Sequence, residues 1–196
     1  IGLLSRFKQP ATPITNLKKE YDKRTGERRQ IISSSNIILH DSKRVIFSLH
    51  RMDIKRASEL LDSAESALSG LEKKFGHCRL SEEGAYKAAA EEYVEAKMFY
   101  RVMTGKKVDK ISKIEMSTDS LLGGICDLTG ELARRAVNQA SAGNFDEVEK
   151  IKKAINEIMA ELVEFDITGY LRTKFDQAKT NLRKIEQIDY EIKLRK

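Results

Sequence analysis

Tryptophan is absent from this 196-residue chain, and its two prolines, Pro10 and Pro13, both lie near the N-terminus. From residue 14 onward nothing forbids helix, and Ala, Leu, Glu, Lys and Arg dominate. No apolar run approaches the roughly 20 residues a membrane-spanning helix needs. The N-terminal residues also lack the apolar stretch and small-residue cleavage site of a secretory signal. The expectation is a cytoplasmic protein with no membrane partner. Cys78 and Cys126 are two lone cysteines without metal-ligand spacing, which excludes a disulfide framework and fits reduced thiols. His40, His50 and His77 form neither an H-x-x-H nor an E-x-x-H pattern.

What is present is helical periodicity and charge. Hydrophobic residues make up 40% of the chain and charged residues 34%, as in soluble amphipathic helices. The net charge of +6 and pI near 9.2 point toward a polyanion partner, although mild basicity is common among soluble domains. Residues 1–13 read as a loose leader and residues 14–196 as one all-α domain. Between 14 and 52 apolar residues recur at helical spacing, with Ile31, Ile38, Val45 and Met52 at every seventh position. Gly26 and the run Ser33-Ser34-Ser35 leave one long helix and two shorter ones both open. A second helix is predicted over 53–75, stopping at Gly76. Ser81 is the expected N-cap of a third, running to Thr104 and ending at Gly105. Residues 105–117 form a lysine-rich loop. Ser117 or Thr118 caps a helix that ends at Gly143, a suitable glycine for a helix C-terminus. The next helix is predicted from Asp146 to Phe165, and the last from Gly169 or Tyr170 to Leu194. Six or seven helices without strands make a bundle the expected architecture.

Two places carry acids that a bland bundle does not need. In Glu91-Glu92-Tyr93-Val94-Glu95, the side chains of Glu92 and Glu95 share a helix face with Ala96, Phe99 and Met103. Like charges one turn apart on an apolar face are unfavourable unless a cation lies between them. Solvated acids at the edge of the stripe are the plainer reading. Residues 121–132 are apolar around most of a helix, except for a stripe of Ser120, Gly123, Gly124, Asp127, Gly130, Glu131, Arg134 and Asn138. Glycine inside a helix costs roughly 1 kcal/mol relative to alanine, so three of them suggest close approach by a backbone or ligand. Tight helix packing, with Glu131 paired to Arg134 or Arg135, is the alternative. If the two helices face each other, Glu92, Glu95, Asp127 and Glu131 make a cluster of four carboxylates. Oxygen ligands without nearby His or Cys suit Mg²⁺ or Mn²⁺, which promote phosphodiester hydrolysis. A ferritin-like di-iron site would want Glu-x-x-His on two helices, and the chain has neither.

A third feature is basic. Lys43-Arg44 and His50-Arg51 flank Val45, Ile46 and Leu49, and Lys106, Lys107, Lys110 and Lys113 fill the loop after residue 105. Such ridges are commonly solvated faces, and gain meaning beside an acid site that handles phosphates.

At these residues the chain resembles the translin/Trax family. Leu121-Leu122-Gly123 leading through Asp127-Leu128-Thr129-Gly130-Glu131-Leu132 to Asn138 is similar to the signature helix of Trax, the translin-associated factor. Residues 40–51, with Ser-Lys-Arg and Leu-His-Arg, resemble its first helix. Glu92-Tyr93-Val94-Glu95-Ala96 resembles its acidic segment, and residues 184–195 its closing helix. The resemblance covers about residues 30–196. It implies a seven-helix translin-like bundle assembling into a closed, roughly octameric shell. It also implies Mg²⁺-dependent endoribonuclease activity, with Glu92, Glu95, Asp127 and Glu131 as catalytic and metal-binding residues; translin itself lacks these acids. RNA is the expected ligand, with single-stranded DNA as a second, and Lys43, Arg44, His50 and Arg51 are the expected RNA-binding residues. A translin-like partner subunit is one form of the assembly and a homo-octamer the other. Two readings compete with the nuclease: a translin-like nucleic-acid-binding protein without catalysis, and a purely structural helical module. Self-association is expected from apolar residues as well. Tyr93, Phe99, Tyr100 and Met103 occupy two faces of one helix, and long seams run from Ile31 to Met52 and from Phe175 to Ile192.

Overall fold

A computed structural model describes residues 13–106 and 114–194. Seven helices account for the regular structure of these residues: α1 (Pro13–His50), α2 (Ile54–Phe75), α3 (His77–Leu80), α4 (Gly84–Met103), α5 (Thr118–Ser141), α6 (Phe145–Leu162) and α7 (Gly169–Leu194). The expected leader up to residue 12 and the loop residues Lys107, Lys110 and Lys113 lie outside the described residues.

The first helix is a single rod of 38 residues, so neither Gly26 nor the serine run breaks it. Ser35 and Ser42 lie on the same buried face as Ile31, Ile38, Val45 and Leu49, where small side chains let neighbouring helices approach. Pro13 opens the helix, where its missing N–H costs nothing. The heptad ends before Met52, which lies past the helix with a positive φ of 62° and is exposed. Asp53 then caps α2 by accepting a hydrogen bond from the Arg56 backbone N–H at 3.0 Å.

Two helix boundaries differ from expectation. Ser81 does not cap the next long helix; its hydroxyl pairs with His77 Nε2 at 3.2 Å, and α4 starts at Gly84. The cause is the buried Leu80, which anchors the short helix α3, while Glu83 turns back onto Arg79 at 2.9 Å. The sixth helix ends at Leu162 rather than Phe165, its last buried contact, leaving Val163 and Phe165 exposed. Ser117 caps α5 through the Ser120 N–H, and Gly143, with φ of +79°, follows its C-terminus as expected.

Helix α1 lies between α2 and α4, α4 between α1 and α5, and α5 against α6 and α7. The central pair is thus α4 and α5, the two helices that carry the four acids. Their core is built from Tyr93, Phe99, Leu128 and Leu132, all fully buried. Burial on this scale is what holds a bundle whose individual helices are only marginally stable alone.

Candidate metal and nucleic-acid site

Two glycines of α5 face Glu91 of α4, and the close approach of the helices depends on one of them. A Cβ built on Gly124 would lie 2.7 Å from the Glu91 carbonyl oxygen and 2.7 Å from Val94 Cβ; one on Gly123 would meet the Glu91 carboxylate. Both distances are below those real side chains tolerate. Gly130 differs, since its nearest neighbour would be the Asn181 amide at 3.5 Å. Gly124 therefore serves close helix packing, while Gly123 leaves room for the Glu91 carboxylate, and the packing brings α5, with Asp127 and Glu131, against the acids of α4.

Those acids interact strongly. Glu95 is only 8% exposed, and burial, reinforced by the charges of Glu92, Asp127 and Glu131, pushes its carboxyl up to about 9. Burial also raises Glu92; Lys43 opposes that shift, and Asp127 and Glu131 add to it. For Glu131, burial works upward, but hydrogen bonding from His50, with help from Arg134, outweighs it and holds the carboxyl low. Glu92, Glu95 and Glu131 line one cleft of about 310 Å³ together with Lys43, Ile46, Phe47 and Arg134.

Three relationships at this site lay outside the sequence reading. Lys174 of α7 ion-pairs with Asp127 Oδ2 and, at 2.6 Å, with Glu91. Tyr170, one turn earlier, donates its hydroxyl to Glu91 at 2.9 Å. His50 Nε2 hydrogen-bonds with the Glu131 carboxylate, and its ring packs 5.0 Å from that of Phe99. The hint for Glu91 was the Gly123-Gly124 pair, which has to accommodate something on α4. Nothing local singled out Lys174, an ordinary lysine until α7 folds against α5.

The four basic residues expected to meet RNA separate. Lys43 lines the cleft, and Arg44 is an exposed partner of Asp41 at 3.5 Å. Arg51 is exposed, with its guanidinium 5.9 Å from the Phe47 ring centre. The His50 side chain is only 6% exposed and turns inward to Glu131, because it shares the inner face of α1 with Ile46. It can orient an acid from there, and it presents nothing to a polyanion. Arg134 takes its place at the rim of the cleft.

Oxygen donors of this kind suit Mg²⁺ or Mn²⁺, and a buried carboxyl as perturbed as Glu95 is what a cation among like charges would relieve. Among the described residues no group of three or more His, Cys, Asp and Glu stands ready-made around a metal position. Lys174 and His50 hold Asp127 and Glu131 instead. The donor chemistry thus fits a divalent ion, in competition with the Lys174 ammonium at Asp127 and the His50 ring at Glu131.

Comparison with known proteins adds family and fold. The sequence model of the Translin family matches residues 26–196. Translin-associated protein X of Rattus norvegicus is 24% identical over 223 residues, covering 92% of this chain and 77% of that protein. The crystal structure of AfC3PO superposes with a TM-score of 0.84 at 20% identity, covering 93% of this chain and 98% of that one. The AfC3PO–duplex RNA complex gives 0.82 at 20% identity, covering 93% and 97%. At these identities the structural likeness is one of fold.

Proposed function

The chain belongs to the translin family, and from that premise we propose that it is a Mg²⁺-dependent endoribonuclease acting on RNA with accessible single strands. The observation that carries this reading is Glu95, buried beside the half-buried Glu92 and Glu131 in a cleft lined also by Lys43 and Arg134. Acids that bind a cation and bases that bind phosphate stand side by side, as phosphodiester hydrolysis requires. Glu92, Glu95 and Asp127 are the metal ligands in this proposal, and Glu131 a ligand or its support; Mn²⁺ would serve in place of Mg²⁺.

Each residue then has a task. Lys43 and Arg134 hold the phosphates on either side of the reacting bond. Lys174 pairs with Asp127 Oδ2 and positions that carboxylate. His50 fixes the orientation of Glu131. Glu95 carries a proton at neutral pH in the metal-free protein and gives it up when a cation arrives. The ion, when bound, supplies Lewis-acid polarisation of the phosphodiester and acidifies water.

Self-association belongs to the same proposal, with a closed homo-octameric shell as its form and a translin-like partner subunit as the other arrangement. The residues first expected to drive it are mostly spent in the monomer's own core: Tyr93, Phe99, Ile31, Ile38, Val45, Phe175 and Ile185 are buried. Support comes instead from Ile14, Leu17 and Tyr21, exposed at helical spacing on the first turns of α1, and from Val163, Phe165 and Tyr190.

One observation favours a second reading, RNA binding without cleavage. Lys174 and His50 already engage two of the four acids. Labelled RNA incubated with and without Mg²⁺ separates the two. Cleavage confined to Mg²⁺ is expected; retention of intact RNA under both conditions would favour the binder.

A further inference from the structure

Phe47 is 56% exposed, and it lines the acid cleft. Singly exposed apolar residues are common and usually need no explanation. This one differs in its setting. The cleft is otherwise lined by Lys43, Arg134 and the carboxylates of Glu92, Glu95 and Glu131, with Ile46 as its other apolar residue. Lys43 and Phe47 stand one turn apart on α1, about 6 Å along its axis, and Arg51 follows in the turn just past the helix, its backbone N–H donating to the Phe47 carbonyl at 3.3 Å. The Arg51 guanidinium stands 5.9 Å from the Phe47 ring centre, within the range of a cation–π contact. The order along the chain is cation, aromatic, cation, beside acids.

We propose that Phe47 is a stacking platform for an unpaired base, and that it sets the preference of this site for single-stranded over duplex RNA. The inference rests on the proposed RNA-cleaving function and deepens it. Lys43 and Arg51 would each meet a phosphate, and the ring would take the base between them. Every base offers a π-face, so such a platform selects for a free base without selecting its identity. A base locked in a duplex cannot turn its face to the ring, and the duplex loses that part of the affinity.

The test uses the full chain carrying Asp127→Asn, so that RNA is bound but not cut, and a single-stranded RNA of about a dozen nucleotides with one 2-aminopurine. Binding should quench the 2-aminopurine fluorescence when Phe47 or Phe47→Tyr is present. Phe47→Leu keeps apolar bulk but has no π-face; it should abolish the quench and weaken single-strand binding by about 5- to 100-fold. Affinity for a blunt duplex of the same length should stay within about twofold. Equal quenching and affinity in Phe47→Leu would overturn the inference while leaving the RNA-binding function intact. A changed assembly mass in Phe47→Leu would also overturn it, by making the ring a subunit contact. If the parent chain bound no RNA at all, the proposed function itself would fail first.

Discussion

Lys174 on α7 bridges Asp127 on α5 and Glu91 on α4, tying three helices together at the edge of the acid cleft. Burial lowers a lysine's affinity for its proton, but hydrogen bonds to Asp127, Glu91 and Tyr170 outweigh it, and its pKa is raised. Removing the ammonium leaves two carboxylates facing each other without compensation. Lys174→Met should therefore cost about 3 kcal/mol in metal-free buffer. Mn²⁺ should restore more thermal stability to the variant than it adds to the parent, since the ion then has Glu91 and both Asp127 oxygens available. Paired melting curves with and without Mn²⁺ check this; a variant melting like the parent in both buffers would refute it.

The Glu95 carboxyl ordinarily titrates near 4.5 and is pushed up to about 9 in the fold. A raised folded pKa means that folding favours the protonated acid. The stability it contributes is fully present below pH 4.5 or so, declines as pH rises, and is gone above about 9. Glu95→Gln stays neutral throughout. Its melting temperature should match the parent's near pH 4.5 and exceed it by several degrees at pH 8 in metal-free buffer. A difference that does not change between those pH values would mean that Glu95 is not titrating in this window.

How much of this was legible in the sequence depends on range. Helix spacing located the long helices, and Ser117, Gly105 and Gly143 marked ends because capping is local chemistry. Ser81 failed as a marker because Leu80 is pulled into the core, a tertiary effect that no local signal carries. The proximity of the acids of α4 and α5 was legible from Glu92 and Glu95 on a largely apolar face and from the glycine stripe that carries Asp127 and Glu131. Their partners were not: Lys174 lies 47 residues from Asp127, and His50 lies 81 from Glu131. Periodicity does not record such pairings.

The glycines of α5 separate by what they touch. Gly124→Ala would drive a methyl group into the Glu91 carbonyl and Val94, at 2.7 Å from each. It should destabilise by about 1 to 3 kcal/mol and part the acids of α4 from those of α5. Gly130→Ala meets only the Asn181 amide at 3.5 Å, so helix propensity should make it neutral or stabilising by up to about 1 kcal/mol. Denaturant midpoints decide it, and equal effects at both positions would contradict the packing argument.

The basic residues should separate in RNA binding as they do in position. Lys43→Ala and Arg134→Ala should each flatten the log–log dependence of affinity on salt by roughly one unit at most. His50→Ala should leave the slope unchanged, because the imidazole faces Glu131 and is buried. A flattened slope for His50→Ala, with parental slopes for the other two, would place the RNA elsewhere.

The central claim is that carboxylates of α4 and α5 act through a divalent ion. It is tested most directly by single-turnover cleavage of labelled single-stranded RNA by the parent and by Asp127→Asn, at matched RNA occupancy, with Mg²⁺ and with chelator. Cleavage by the parent is expected in Mg²⁺ alone and, in Asp127→Asn, a loss of about a hundredfold or more with RNA affinity retained. Cleavage by Asp127→Asn at the parental rate, or cleavage by the parent that persists in chelator, would contradict it.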